Sequence, residues 1–460
     1  MPIIGSFGVA SSRGFGEFLA LGGGFPSGYY LGSIGSNDGA SSFTSTAIKL
    51  DSSNNIYLNG GFSFDTTGCY ANNSTIFKLN SSLTAVWRKM WSDPSADLTD
   101  LAYYNSTNQL TTNFVISGRY DYAYVIDAST PAKSFTRYID KATTYGSTGW
   151  TTNYSHMNFD SSGNVYSIGS TNRNVSCCNT SFYGTVTKYN SSGTYQWSRS
   201  LAGDNDYRFF SNMVVNPSTG YLTVGATVGS YNGFYTFDTS GNFVWGTGYF
   251  LIGGNNQAGY ITVDSSGNYY GIMGNGGIVK ANSSGTFQWY VYLTSSRLYI
   301  RDTVKISGTS MYTLGTYNNT IVISKFDISG STPTLSWSNK WTPTVGNVAG
   351  GGTLTNSNQL EIDSTGKLWF SCRYDNGARR VNLFGSVPAD GTGTSASKSY
   401  TFIGTTWKYE ARSDTTSVTT SISSTSFSAW STINPTQNTP SSTLLTAANT
   451  PQAVSSLALT

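Results

Sequence analysis

The sequence predicts an all-β chain: a seven-bladed β-propeller of four-stranded antiparallel blades, with extended N- and C-terminal arms. Three observations carry this. One hairpin motif recurs seven times, a second hairpin lies between its copies, and the repeat period of about fifty residues matches four short strands.

The recurring motif is an alternating strand, then Asp/Asn-Ser-Ser-Gly-Asn or a variant, then a second strand ending in Gly. Its best copies span residues 48–60 (IKLDSSNNIYLNG), 157–169 (MNFDSSGNVYSIG), 261–274 (ITVDSSGNYYGIMG) and 360–371 (LEIDSTGKLWFS). Looser copies begin at Leu101, Met213 and Val304. Period-two alternation on both sides marks half-buried strands. The Asp/Asn-x-x-Gly core supplies a side chain that caps the turn and a residue tolerant of positive φ. Taking Asp51, Asn105, Asp160, Asn216, Asp264, Ser307 and Asp363 as anchors, the copies are spaced by 54, 55, 56, 48, 43 and 56 residues.

The second hairpin carries an aromatic seven residues after its turn anchor: Asn80 to Trp87, Asn190 to Trp197, Asp238 to Trp245 and Asn282 to Trp289. Looser versions join Asp127 to Phe135 and Asp327 to Trp337. A lone four-stranded blade leaves a face uncovered, whereas blades set radially bury face against face. Tyr57, Tyr166, Tyr270 and Trp369 hold matching places in the first hairpin and, with the periodic Trp, read as inter-blade packing rather than a ligand cage.

The repeats occupy residues 46–402. Before them, residues 1–45 form a Gly- and aromatic-rich arm (GSFG, RGFGEF, LGGGF, PSGYYLGSIG) expected to contribute an edge strand that closes the ring. After them comes an arm, residues 403–460, whose stretch 413–460 is dominated by Ser, Thr and Asn with Asp414 as its one charge. By composition such a stretch is disordered unless something pins it, and another chain is the expected partner.

Composition narrows the function classes. Charged residues are 11%, aromatics 15%, and the formal net charge is +3 without a Lys/Arg cluster. Nucleic-acid binding through phosphate contacts is therefore not expected. No stretch approaches the ~20 apolar residues of a membrane span, and the N-terminus lacks a leader pattern. The chain reads as soluble and made in a cytoplasm. Four cysteines (Cys69, Cys177, Cys178, Cys372) lack paired metal-site spacing and are expected to be free thiols there.

Acid–base chemistry has few candidates among 23 carboxylates and one histidine, His156. No G-x-S-x-G elbow accompanies His156, which reads as structural or exposed. DSSGN lacks the ligand pattern of a calcium loop. We therefore assign no catalytic, cofactor-binding or metal-ligating residue, and expect no cofactor.

Loops over a rigid scaffold are the remaining candidates for specificity. Two stand out: residues 63–74 (SFDTTGCYANNS) in blade one and 170–181 (STNRNVSCCNTS) in blade three. Both join the second strand of a blade to its third, so they should emerge on one face. Within them, Asp65, Cys69, Tyr70 and Asn72, and Arg173, Asn174, Cys177, Cys178 and Asn179, are the expected partner contacts.

The DSSGNVYSIG and DSSGNYYGIMG copies resemble the seven-bladed β-propeller (SBBP) repeat family over about residues 46–402. The NSSGTYQW and DTSGNFVW hairpins resemble turns of quinoprotein-like propellers. The resemblance implies a scaffold and carries no catalytic residue, its defining positions being turn formers. The sialidase turn Ser-x-Asp-x-Gly-x-x-Trp lacks its Asp in NSSGTYQW, and quinoprotein enzymes use eight blades. The opening MPIIGSFGVASSRGFGEF and the Ser/Thr-rich end resemble structural proteins of marine bacteriophages. That resemblance implies a virion protein assembled in a host cytoplasm and present in several copies. Its expected partners are other virion proteins, copies of itself, and a host surface receptor or glycan. The alternatives are a carbohydrate-active or quinoprotein-like enzyme, which predicts a channel with clustered Arg or carboxylates, and a lectin-like surface propeller.

Overall fold

The computed structural model describes residues 17–19, 30–35 and, with gaps in connecting segments, 47–438. The described residues are all-β, without helix, and form seven antiparallel sheets of four to six strands. Each sheet is a blade. Its innermost strand leads to the recurrent Asp/Asn turn, so the first hairpin of every repeat lies nearest the axis.

The innermost strands are Ile48–Leu50, Ala96–Tyr104, Trp150–Phe159, Arg208–Val215, Ala258–Val263, Thr303–Ser307 and Gln359–Ile362. Each packs against the next, and Gln359–Ile362 returns to Ile48–Leu50, which closes the ring. The buried apolar residues fall into seven clusters, each shared by two adjacent blades. Tyr57, Ile76 and Trp87 of blade one meet Leu101, Leu110 and Ile126 of blade two, for example, and Ile48 and Phe77 of blade one meet Trp369 and Phe384 of blade seven. Seven clusters for seven seams leave no gap in the ring.

The turns show why Asp-Ser-Ser-Gly-Asn builds these hairpins. Asp160 Oδ1 accepts the backbone N–H of Ser162 and Asn164 at 2.9 Å each, while Oδ2 accepts Asn164 Nδ2 and the Tyr166 hydroxyl. The same set recurs at Asp51 with Ser53, Asn55 and Tyr57, and at Asp264 with Ser266, Asn268 and Tyr270. At Asp363 the indole of Trp369 donates in place of tyrosine. The fourth turn residue takes positive φ, as glycine at Gly163 (78°) or as asparagine at Asn54 (59°). One carboxylate thus satisfies both the turn backbone and the phenol that reaches the next blade.

The tryptophans of the second hairpin pack where the spacing places them. Trp197 Nε1 donates to Thr239 O of blade four, and its ring lies where a Cβ on Gly241 would come within 2.6 Å. Trp245 covers Gly285 of blade five and Trp337 covers Gly391 of blade seven in the same way. Between Tyr and Trp lies a lysine: Tyr57, Lys78 and Trp87 are register partners across three strands, as are Tyr166, Lys188 and Trp197, and Tyr270, Lys280 and Trp289. Each ammonium lies 5.0–5.4 Å from its tyrosine centroid. Burial lowers the pKa of Lys78 and Lys188, against the pull of nearby aspartates.

Both ends of the chain return to the ring. Tyr30–Gly35 pairs with Arg380–Val387 as the fourth strand of blade seven, and Glu17–Leu19 pairs beyond it. The expected N-terminal closing strand is therefore present. At the other end, Lys398–Phe402 and Thr405–Ala411 extend blade six. The chain then runs backward around the rim, adding one outer strand per blade. Thr416–Thr419 pairs on blade five, Ser424–Ser426 on blade four, Ser431–Ile433 on blade three and Gln437–Asn438 on blade two. Within the Ser/Thr-rich stretch, Thr416–Thr419, Ser424–Ser426, Ser431–Ile433 and Gln437–Asn438 thus pair with the chain's own blades, whose edges offer backbone groups that any sequence can pair.

Candidate functional site

The position two residues before each turn anchor faces the axis. Lys49, Tyr103, Asn158, Val214, Thr262, Lys305 and Glu361, one from every blade at the same register, line a central cavity of about 260 Å³. The adjacent residues on these strands, such as Ala102, Met157 and Ile261, reach into the seams between blades. The lining is divided. Blades two to five contribute neutral side chains, and the charged ones sit together on blades six, seven and one.

Glu361 lies between the two lysines. Its Oε1 accepts from Lys49 Nζ at 2.5 Å and its Oε2 from Lys305 Nζ at 3.0 Å. Burial pushes the Glu361 pKa up, but the two ammonium groups outweigh it and hold the carboxyl below the usual carboxylate range. Lys305 also lies 5.7 Å from the Tyr260 ring centroid. The arc carries a net single positive charge with its carboxylate already doubly engaged. It offers an ionised carboxylate and two ammonium donors.

His156 is buried on an inner strand, its Nδ1 3.4 Å from Asn212 Nδ2 of blade four. That places it at a blade seam, in keeping with a structural role. Cys372 is a buried thiol in blade seven, while Cys69, Cys177 and Cys178 lie outside the described residues.

The predicted contact residues divide likewise. In blade one, Ile56–Ser63 and Asn72–Leu79 are the second and third strands, so the segment between them is placed as expected and Asn72 opens the third strand. Asp65, Cys69 and Tyr70 lie outside the described residues. In blade three the reading of residues 170–181 as a loop is corrected. Val165–Ser176 and Asn179–Tyr189 remain paired to the tip, with Arg173 opposite Ser181, Asn174 opposite Thr180 and, beyond a register shift, Ser176 opposite Asn179. Only 177–178 separate the strands, a long two-stranded arm rather than an inserted loop. The polar run lacks alternation, yet the ladder continues because backbone pairing needs no side-chain pattern.

Sequence reasoning missed the channel arc and the lysine of the cross-strand row. Both had a signal. The arc is the anchor-minus-two position, and the lysine sits two residues before the second anchor: Lys78–Asn80, Lys188–Asn190, Lys280–Asn282 and Lys325–Asp327.

No protein-family model matches the chain, and no curated protein matches it. Among solved structures it is similar to the Dos1 propeller at 11% identity, covering 78% of this chain and 94% of that one with a TM-score of 0.48. A chain of the mitotic checkpoint complex is similar at 10% identity, with coverage of 83% and 98% and a TM-score of 0.45. A protein from Lactobacillus plantarum is similar at 13% identity, with coverage of 64% and 84% and a TM-score of 0.42.

Proposed function

We propose that the chain is a bacteriophage virion structural protein, tail-associated, whose propeller is an assembly platform or a host-receptor-facing binding module. The observation that supports this best is the rim of blades two to seven. The chain's own strands cover the outer edges of blades two to six from the C-terminus and blade seven from the N-terminus. On those six blades the fourth strand is already paired within the chain, so on this reading the contacts with partners fall to the faces and turns. Aromatic, Ser and Asn side chains suit such contacts at low charge. The terminal resemblance to phage structural proteins supplies the particle, and on this reading the partners are other virion proteins, further copies of the chain, and a host receptor or glycan.

Immunogold labelling and quantitative mass spectrometry of purified particles test this. The proposal expects several copies per particle with label on the tail. Protein that stays in the lysate and is absent from particles contradicts it.

A second reading, a carbohydrate-active or quinoprotein-like enzyme, draws on the channel arc alone. Glu361 held ionised is unsuited to proton donation at neutral pH and suits an electrostatic or nucleophilic role. Turnover of an oligosaccharide panel that vanishes in Glu361→Gln would favour this reading over the first.

A further inference from the structure

The cavity on the axis of the ring holds an excess charge. Lys49, Lys305 and Glu361 are the charged side chains that line it, and two ammonium groups against one carboxylate leave a single positive charge walled by protein. Their side chains keep only 15%, 22% and 15% of their exposure to solvent. A charge withdrawn from water in this way is costly until an opposite charge meets it. Glu361 has already given both of its oxygens, one to each lysine. An ammonium has three N–H donors, and Glu361 takes one from Lys305 at 3.0 Å.

The sum of charges sets the charge of the ligand. A monoanion neutralises the arc. A phosphate dianion overshoots and meets the Glu361 carboxylate at short range, where like charges repel.

The rest of the lining says what carries the anion. Blades three, four and five present Asn158, Asn212 and Thr262 to the same cavity. Amide and hydroxyl groups both donate and accept, as recognition of sugar hydroxyls requires. Asn158 Oδ1 accepts the backbone N–H of Phe159 at 2.9 Å, which leaves Nδ2 as the donor of that side chain. Tyr103, whose hydroxyl donates to Asn108 Oδ1 at 2.8 Å, and Tyr260, under Lys305, add ring surface. The 260 Å³ of the cavity equals about eight or nine waters at roughly 30 Å³ each, room for one six-membered sugar ring with its substituents. We propose that the channel binds a hydroxylated monocarboxylate the size of one sugar residue, a uronic acid, with its carboxylate on Lys305 and Lys49 and its hydroxyls toward Asn158, Asn212 and Thr262. Nothing in this site depends on whether the chain belongs to a particle.

Ligand-observed NMR and calorimetry on the purified full chain test this with four probes: D-glucuronate, D-glucose, acetate and glucose 6-phosphate. Glucuronate should bind, and each of the others should bind at least about tenfold more weakly. Lys305→Met should weaken glucuronate by about tenfold or more and Thr262→Val by about threefold, in proteins whose thermal melts match the parent's. Glu361→Gln raises the arc to two positive charges. It should keep glucuronate and bind glucose 6-phosphate at least about tenfold more tightly than the parent does. Equal affinity for glucose and glucuronate overturns the proposal, as does the failure of glucuronate to bind at millimolar concentration. Glucuronate binding that ignores Thr262→Val and Lys305→Met, with no gain for the phosphate in Glu361→Gln, overturns it too. None of these results bears on whether label is found on particles, so this site and the virion reading stand or fall separately.

Discussion

The two ends of the chain both add strands to the ring, yet they do different physical work. Tyr30–Gly35 is a structural member of blade seven: Leu31 is fully buried in the seam between blades six and seven, and Tyr30 packs 5.5 Å from Phe384 and 6.1 Å from Trp369. The C-terminal belt changes character along its length. Thr405–Ala411 buries Trp407 and Tyr409, whose rings lie tilted 4.9 Å from Tyr374 and 4.6 Å from Trp341. Thr416–Thr419 is only half-buried at every position. The N-terminal strand and the start of the belt bury large side chains, whereas Thr416–Thr419 buries none fully and pairs through its backbone with blade five. Closure of a ring needs apolar area, whereas sealing an edge needs only pairing.

This contrast sets the order of expected effects. Deleting residues 1–46 removes the fourth strand of blade seven and exposes two seams, so cooperative thermal unfolding should be lost in calorimetry. A deletion variant that melts in one sharp transition near the full chain's midpoint would break the distinction. Next come single seam residues. Trp407→Ala should cost about 3–5 kcal/mol in denaturant unfolding, as large aromatic truncations in cores do. Gly241→Ala should cost about 2–4 kcal/mol, because its methyl enters the Trp197 ring at a φ of 79°. Gly366→Ala, with φ 84° and nothing within 4 Å, bears only the backbone strain of about 1–2 kcal/mol. The difference between these two glycine variants isolates the blade-to-blade contact.

Removing residues 412–460 should act more weakly. Each backbone hydrogen bond gains about 0.5–1.5 kcal/mol net, and each ordered residue costs about 1–2 kcal/mol, so the unfolding midpoint should move by only a few degrees. Hydrogen exchange should meanwhile rise along the former fourth strands, such as residues 198–200 and 247–249.

The smallest effect concerns acid. Asp414 ties the belt to blade five, accepting from Ser295 Oγ and from Arg412 Nη2 at 2.8 Å. Burial raises its pKa, but these donors outweigh it and hold the carboxyl below its ordinary 3.8. A depressed folded pKa gives stability that is complete above the ordinary value and lost as pH falls through the folded one. Exchange at residues 290–293 should therefore quicken below about pH 4, and Asp414→Asn should remove that pH dependence.

How much of this was legible in the sequence follows from which groups carry the information. The seven hairpins could be read because Asp51, Asp160, Asp264 and Asp363 make the same capping bonds, so turn chemistry is written as a motif. The tryptophans could be read because Trp87, Trp197, Trp245 and Trp337 each meet a glycine or turn backbone one blade on. The belt could not, since edge pairing of Thr416–Thr419 or Ser431–Ile433 uses backbone groups and leaves no pattern among Ser and Thr. The long arm at Arg173 and Asn174 escaped for the same reason. The charged arc stood at a fixed register, but Lys49, Lys305 and Glu361 come together only when blade seven meets blade one, a contact across some 310 residues that no local spacing reveals.

The central claim is that seven blades form a closed ring whose first and last strands come from one chain. A cryo-electron microscopy map of the purified protein at side-chain resolution tests it most directly. The account predicts seven blades, residues 30–35 as the fourth strand of the seventh, and continuous density from Ala411 backward around the rim within the same molecule. A ring of six or eight blades, or outer strands traced to a neighbouring copy, would contradict it.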